Sequence, residues 1–132
     1  MGIDEGLLLA QCSRTLVRTD LQRLGRREEG KVRDGYVSAD RRILVVTDRV
    51  SCFDVVVGTL PFKGQVLNQA AAFWFERTGA VARNHLLAVP DPNASVVRNL
   101  RTLPVEFVMR AHLTGVTSTS IYTAYARGER VY

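Results

Sequence analysis

The spacing of the apolar residues changes at Pro61, and this change constrains the fold more than any other feature of the sequence. Before it, residues 43–47 form a continuous apolar run rich in β-branched side chains, which is typical of a buried strand. After it, an apolar stripe with helical spacing predicts a helix from Gly64 to near Gly79; it comprises Val66, Leu67, Ala70, Ala71, Trp74 and Phe75. The chain must therefore combine strands with at least one long helix.

Further elements are predicted upstream of Pro61. Apolar residues at helical spacing, from Leu8 to Leu16, predict an amphipathic helix over residues 5–18. Val32, Tyr36 and Val37 indicate a strand after Gly30, which would form a hairpin with residues 43–47. A short extended piece follows at residues 53–57.

Downstream of the long helix, Pro90 to Asn93 predicts a surface loop. Residues 96–97 and 105–109 are predicted to be strands. A last helix is expected over residues 118–126, with Thr117, Ser118 and Thr119 as N-cap candidates. Paired strands joined by short turns, with helices between them, favour an antiparallel α+β fold over a doubly wound parallel sheet.

The composition excludes several classes of protein. The chain has 132 residues, 46% hydrophobic and 23% charged, so it can bury a core without disulfides and is neither a coiled coil nor disordered. No apolar run approaches the roughly 18 residues of a membrane helix, so we expect no membrane partner. Cys12 and Cys52 form no CxxC motif, and no signal peptide precedes them, which makes a reducing cytoplasm the simplest compartment.

The net charge of +5 comes from arginines that are scattered along the chain. Without a basic block or an aromatic-interleaved stripe, we expect no nucleic-acid partner, and small anionic ligands fit the charge as well. A small nucleic-acid-binding module remains an alternative from charge alone, and it would show steep salt dependence. Of the 18 basic residues only Lys31 and Lys63 are lysines, and each adjoins a glycine.

The first candidate segment runs from Glu29 to Asp34. Gly30 would let the backbone approach a ligand, and Lys31 next to it could reach a phosphate. Alternation along a strand puts Lys31 and Arg33 on the same face. A solvated strand edge explains the same residues, and the segment is neither a Walker A nor a GxGxxG motif.

The second candidate segment, residues 47–54, follows the most hydrophobic strand. It carries two acids, one cation and one hydroxyl, namely Asp48, Arg49, Ser51 and Asp54. Polar residues at the end of a buried strand often form sites, although an ordinary turn also uses Asp and Ser.

The third candidate is Lys63, which opens the long helix. A lysine opposes the helix dipole at this end, and a bound phosphate or carboxylate would explain its presence.

The fourth candidate segment, residues 109–120, combines Arg110 with a glycine turn and a run of Ser and Thr. An arginine beside a hydroxyl-rich helix start is a sound phosphate cradle, although N-capping alone explains the hydroxyls.

Seven collinear stretches resemble the SAICAR synthetase family of purine biosynthesis. They cover nearly all of the chain after residue 25: residues 30–34, 47–54, 61–69, 73–76, 84–86, 104–110 and 113–120. The resemblance implies an α+β fold with a β-rich, loosely kinase-like nucleotide lobe. Together with the helix predicted over residues 5–18, it implies a lobe over residues 25–110 and the start of a second lobe over residues 111–132.

The resemblance also implies an activity and its small-molecule partners. The family joins L-aspartate to a carboxylated aminoimidazole ribotide, CAIR, with ATP and Mg²⁺, through an acyl phosphate. By residue, Gly30, Lys31, Arg33 and Glu106 match ATP-binding positions. Substrate-binding positions are matched by Asp48, Arg49, Ser51, Asp54, Lys63, Arg110, Ser118 and Thr119.

Members of the family are longer than this chain, so we expect a truncated form. The Mg²⁺ ligands are expected downstream of Tyr132, and no metal ligand is predicted within the chain. We therefore expect the chain alone to be inactive and to self-associate through the apolar face left exposed. The alternative is a degenerate relative that is non-catalytic and at most binds nucleotide or ribotide.

Overall fold

The structure is a computed structural model that describes residues 4–131, so Tyr132, the last residue of the predicted second lobe, lies outside it. The helices are α1 (Glu5–Gln11), α2 (Lys63–Arg77) and α3 (Ile121–Ala126), with a 3₁₀ turn at Gln22–Leu24. The strands are β1 (Arg26–Glu29), β2 (Arg33–Val37), β3 (Arg41–Val46), β4 (Arg49–Cys52), β5 (Val55–Thr59), β6 (Leu86–Asp91) and β7 (Ala94–Arg98). The chain divides into two compact units, one ending at Leu100 and the other starting at Arg101. The predicted start of the second lobe was residue 111, ten residues later than the start of the second unit.

All strands of the first unit pair antiparallel, which confirms the predicted α+β fold class. Five strands form one sheet in the order β1-β2-β3-β7-β6, and β4 and β5 form a separate two-stranded sheet. The predicted hairpin is β2 with β3, in which Tyr36 lies opposite Ile43. The predicted loop at Pro90 to Asn93 is wrong in part, because Pro90 and Asp91 belong to β6 and only the next two residues form the turn to β7.

The first helix is shorter than predicted. It ends at Gln11 rather than residue 18, because the following segment is held against strands by long-range hydrogen bonds. The backbone N–H of Leu16 donates to Asp48 at 2.8 Å, and that of Thr19 donates to Asp34 at 2.7 Å. Apolar spacing cannot reveal this competition, since both partners lie far along the chain.

The long helix α2 was predicted within about one residue at its start and two at its end. It packs against the sheet, and Gly64 in its first turn allows this close approach. A Cβ at Gly64 would lie 2.2 Å from the carbonyl oxygen of Val46 and 2.5 Å from the side-chain nitrogen of Asn93. The opposite face of α2 leaves Val66, Phe73 and Trp74 exposed.

In the second unit, the predicted strand at residues 105–109 is wrong. These residues are exposed and have no regular secondary structure. A strand needs a hydrogen-bonding partner, and residues 101–131 contain no other strand. The last helix starts at Ile121 rather than residue 118, and its N-cap is Ser120, whose hydroxyl oxygen accepts the N–H of Thr123 at 3.2 Å.

The buried interior of the first unit contains more polar and charged side chains than apolar ones. Its apolar members are Tyr36, Val45, Val46 and Val97, and its polar members are Asp34, Thr47, Asp48, Arg49, Asn68 and Ser95. Buried charges are stable only when they are paired and hydrogen-bonded, so their partners locate the organised part of the molecule. Across residues 4–131, none of the helices has the length and apolar character needed to cross a bilayer.

Candidate functional site

The guanidinium of Arg49 joins three segments of the first unit. Its Nε donates to the carbonyl of Lys31 at 2.9 Å, Nη1 to the carbonyl of Val17 at 2.6 Å, and Nη2 to the carbonyl of Gly30 at 2.8 Å. Nη2 also lies 3.0 Å from Oδ1 of Asp34. Four hydrogen bonds occupy most of the five N–H donors of an arginine. Arg49 therefore holds the protein's own backbone in place. The predicted contact between Arg49 and substrate stays a prediction.

Asp34 is completely buried and is the anionic centre of this cluster. Its Oδ2 accepts from the backbone N–H and the hydroxyl of Thr19 at 2.7 and 2.8 Å and lies 3.3 Å from Nη2 of Arg27. Burial alone would raise the pKa of Asp34, but hydrogen bonds from Thr19, Arg49 and Arg27 hold it below its usual value. The carboxyl group is therefore charged at neutral pH.

Asp48 performs a similar bridging role beside it. Its Oδ2 accepts the backbone N–H of Leu16, and its Oδ1 accepts that of Gly64 at 2.9 Å. The second contact puts a carboxylate at the N-terminus of α2, where the helix dipole favours an anion. Lys63 therefore needs no bound phosphate to explain it, since the protein supplies the anion itself.

The first and second candidate segments, residues 29–34 and 47–54, are joined by an ion pair between Lys31 and Asp54. The ammonium of Lys31 lies 2.5 Å from Oδ1 of Asp54, and both side chains are exposed. Asp54 follows β4, has a positive φ of 70°, and belongs to the turn between β4 and β5. Ser51 lies on β4 at a register shift and is half-buried. Since Arg49 also starts β4, the β4–β5 hairpin and the Gly30–Lys31 segment are tied at two points.

Arg33 lies on the wall of a cavity of about 300 Å³ between the sheet and α2. Apolar side chains from both elements line it, with His85 on the same wall. The His85 ring packs edge-on against Phe75, with 5.3 Å between ring centroids. Burial, and then the charge of Arg33, lower the pKa of His85, so the imidazole is neutral near neutral pH.

The second unit contains a separate cavity of about 630 Å³. Glu106, Arg110 and Thr119 line it, and Ser118 occupies the adjoining turn. Within residues 101–131, no ion pair or hydrogen bond joins Glu106 to Arg110. The guanidinium of Arg110 is therefore available to an anion.

The acids of the first unit are engaged by hydrogen-bond donors and cations of the protein itself. No group of three or more His, Cys, Asp or Glu side chains able to hold a metal occurs among residues 4–131. Asp34 and Asp48 accept hydrogen bonds from the protein, and Asp54 pairs with Lys31. Mg²⁺ is commonly held by one or two carboxylates together with substrate phosphates and water, so the expected position of its ligands stays a prediction.

Sequence reasoning missed Asp34, Thr19 and Tyr36 as a functional group. The Tyr36 hydroxyl lies 2.7 Å from the Thr19 hydroxyl, which in turn donates to Asp34. One signal was available, because an aspartate inside a strand is unfavourable unless a partner compensates it. The identity of that partner, Thr19, seven residues before the start of β1, has no sequence signal.

Comparisons with known proteins agree with the resemblance. The SAICAR synthetase family profile matches residues 26–131. The phosphoribosylaminoimidazole-succinocarboxamide synthase of Legionella pneumophila is 48% identical over 108 residues, which cover 82% of this chain and 35% of the relative. A putative second synthase of this name from Mesorhizobium japonicum is 53% identical over 103 residues, 77% of this chain and 33% of the relative. The chain thus spans about a third of the length of the curated relatives it matches.

A solved structure with the same fold is the SAICAR synthase of Saccharomyces cerevisiae in complex with SAICAR. It has a TM-score of 0.69 and 26% identity, and the match covers 85% of this chain and 44% of the yeast chain.

Proposed function

This chain belongs to the SAICAR synthetase family, and from this premise we propose that it is the nucleotide-binding part of an ATP-dependent ligase of purine biosynthesis. The reaction joins L-aspartate to CAIR and gives SAICAR, ADP and phosphate. The SAICAR bound in the yeast relative supports the ribotide as the substrate class.

In the proposed reaction, the γ-phosphoryl group of ATP passes to the carboxylate of CAIR, which gives an acyl phosphate and ADP. The amine of aspartate then attacks the acyl carbon, an amide bond forms, and phosphate leaves while the amine loses a proton. Phosphoryl transfer depends on positioning and on cations that neutralise the charge of the phosphates. Gly30, Lys31 and Arg33 are the residues of this chain that we assign to the phosphates of ATP, and Glu106 to the nucleoside side.

The observation that carries this proposal is the junction between the Gly30–Lys31 segment and the β4–β5 hairpin. A phosphoryl donor and its acceptor must lie in contact, so the residues that bind them must converge. Lys31 and Asp54 are ion-paired, and Arg49 ties the hairpin to the backbone at Gly30 and Lys31. We therefore assign Ser51 and Asp54 to the acceptor side, while Asp48 and Arg49 keep these groups in position.

The phosphate of the ribotide is assigned to the cavity of the second unit. Arg110 has no hydrogen-bond or ion-pair partner among residues 4–131, and Thr119 lines the same cavity. A guanidinium can hold a phosphate through two parallel hydrogen bonds, and Ser118 and Thr119 would add hydroxyl donors. The ammonium of Lys63 is a weaker candidate, because the carboxylate of Asp48 already caps α2.

The second candidate function is a non-catalytic relative that binds nucleotide or ribotide. Two observations favour it for this chain alone: it spans about a third of the length of its relatives, and residues 4–131 contain no group of three or more His, Cys, Asp or Glu side chains that could hold a metal. No step of the reaction is assigned to a metal held by these residues.

The test is a pair of measurements on the 132-residue chain. Calorimetric titration should detect binding of ADP that weakens in Lys31→Ala and persists in the control Lys63→Ala. A coupled ADP assay with CAIR and aspartate should show no turnover by the chain alone. Absence of ADP binding, or ADP binding that Lys31→Ala leaves unchanged, would contradict the proposed function, whereas turnover would contradict our view that further residues are needed.

A further inference from the structure

Asp34 is the most deeply buried charged side chain of the described residues, and the proposed reaction uses none of its atoms. We infer that Asp34 is a positioning residue for Lys31, and that it acts through the guanidinium of Arg49. This inference rests on the proposed function, because Lys31 is the proposed phosphate ligand.

The geometry at Lys31 carries the argument. The carbonyl of Gly30 belongs to the peptide plane before the Lys31 Cα, and the carbonyl of Lys31 belongs to the plane after it. Both carbonyls accept hydrogen bonds from the same guanidinium, at 2.8 and 2.9 Å. Fixing the two peptide planes on either side of a Cα fixes φ and ψ of that residue, and thus the direction of its side chain.

The guanidinium can do this only if it is itself held. Asp34 supplies that anchor, since its Oδ1 lies 3.0 Å from the nitrogen that also reaches Gly30. Asp34 is oriented in turn by two hydrogen bonds from Thr19, whose hydroxyl contacts that of Tyr36. Buried, charge-assisted hydrogen bonds of this kind are strong and directional. The chain of contacts thus runs from Tyr36 through Thr19, Asp34 and Arg49 to the backbone of Lys31.

A simpler alternative is that the Asp34–Arg49 pair only stabilises the fold. Breaking a buried ion pair is strongly destabilising whatever else the pair does. The two roles predict different effects on amide hydrogen exchange and on phosphate binding. A stabilising pair affects every exchanging amide through global unfolding, whereas a positioning pair loosens residues 30–32 first and weakens phosphate binding only through Lys31.

The first measurement is amide hydrogen exchange on Asp34→Asn. Two reporter amides flank the segment: Gly30 donates to the carbonyl of Arg33, and Thr47 donates to that of Val32. Asp34→Asn should also lower the global stability, which amides between β3 and β7 report. Beyond any acceleration of those amides, both reporter amides should exchange at least about tenfold faster, the equivalent of one charge-assisted hydrogen bond. The matched control is Asp40→Asn, since Asp40 is an exposed aspartate on the β2–β3 turn paired with Arg41.

Arg49→Lys provides a second variant if Asp34→Asn does not fold. It keeps a positive charge beside Asp34 but cannot form the fork of hydrogen bonds to both carbonyls. The same two amides should exchange faster in this variant. An equal acceleration of all amides in both variants, with none specific to residues 30–32, would overturn the inference.

The second measurement is a double-mutant cycle on ADP affinity. Asp34→Asn should weaken ADP binding about tenfold in the wild-type background and have almost no further effect in Lys31→Ala. Equal effects in both backgrounds would overturn the positioning role. If ADP binds with an affinity that Lys31→Ala does not alter, the proposed function fails, and the exchange of Gly30 and Thr47 still decides whether Asp34 controls this segment.

Discussion

The carboxylate of Asp48 accepts a hydrogen bond at 2.9 Å from the backbone amide of Gly64, sixteen residues later, and so caps the first turn of α2. The helix has no local side-chain cap, because its N-cap residue is Phe62. The same carboxylate binds the N–H of Leu16. One side chain therefore links the N-terminal segment, the end of β3 and the start of α2.

Asp48→Asn should lower the free energy of unfolding by about 1–2 kcal/mol, because an amide loses the charge that favours both backbone donors. Urea denaturation measures this change. The control is Asp20→Asn, an exposed aspartate for which we expect less than about 0.5 kcal/mol. Equal midpoints for both variants would show that the cap contributes nothing.

Gly64→Ala should be more damaging than its small size suggests. The added Cβ would meet the backbone oxygen of Val46 at 2.2 Å, so α2 must move away from β3. We expect a loss of about 2–3 kcal/mol in a thermal melt. Gly58→Ala is the matched control, because no atom lies within 4 Å of its Cβ position. That variant should be unchanged or up to about 1 kcal/mol more stable, and a similar loss at both sites would contradict this account.

Elements that depend on local patterns were predictable from the sequence. The residues that form β3 and α2 carry strong strand and helix periodicity, and the structure has both where they were expected. The predicted strand at residues 105–109 has an equally suitable composition but no strand to pair with in residues 101–131. Strand propensity describes a surface that fits a sheet, and it does not supply the sheet.

The candidate site was predictable only as a set of residue types. The sequence indicated Lys31 and Asp54, and the structure puts them in contact. It also suggested Arg49 as a ligand contact, whereas this side chain binds carbonyls of Val17, Gly30 and Lys31. An exposed arginine that binds substrate and a buried one that binds backbone look alike in a sequence, because the difference lies in long-range burial.

Stability should fall in acid through Asp34. Its pKa is lower in the folded chain than in the unfolded chain, so the folded state keeps the carboxylate where the unfolded state is already protonated. The stabilisation that the ionised Asp34 carboxylate contributes to folding is complete above a pH of about 4–5 and is lost as the pH falls further. Denaturation at a series of pH values should therefore show a difference between wild type and Asp34→Asn that shrinks from pH ~5 to pH ~2.5. A stability difference between the two proteins that does not change with pH would contradict this prediction.

The outer face of α2 should make the 132-residue chain self-associate. Val66 and Trp74 are each 62% exposed there, beside Phe73. Large apolar side chains exposed on one helix favour association, because burying them removes apolar area from water. Sedimentation velocity should show larger species with increasing concentration, and Val66→Lys should reduce them. Val81→Lys is the control: it changes an exposed valine outside the helix and should leave the amount of larger species unchanged. A monodisperse wild-type monomer would contradict this prediction.

Arg110→Lys should weaken CAIR binding in a protein that contains this chain together with the remainder of the family's length. Arg110 is exposed on the wall of the second unit's cavity and pairs with no other residue in the described part of the chain, so this substitution should not change the melting temperature. A lysine retains the charge but not the bidentate geometry, which should cost about 1–2 kcal/mol, or roughly five- to thirtyfold in affinity.

Titration with CAIR and with ADP measures the affinity for both ligands, and the affinity for ADP should be unchanged. Arg101→Lys, the same change in the same unit but outside the cavity, is the control for CAIR. If Arg110→Lys weakens both ligands equally or lowers the melting temperature, Arg110 has a structural role and the ribotide phosphate binds elsewhere.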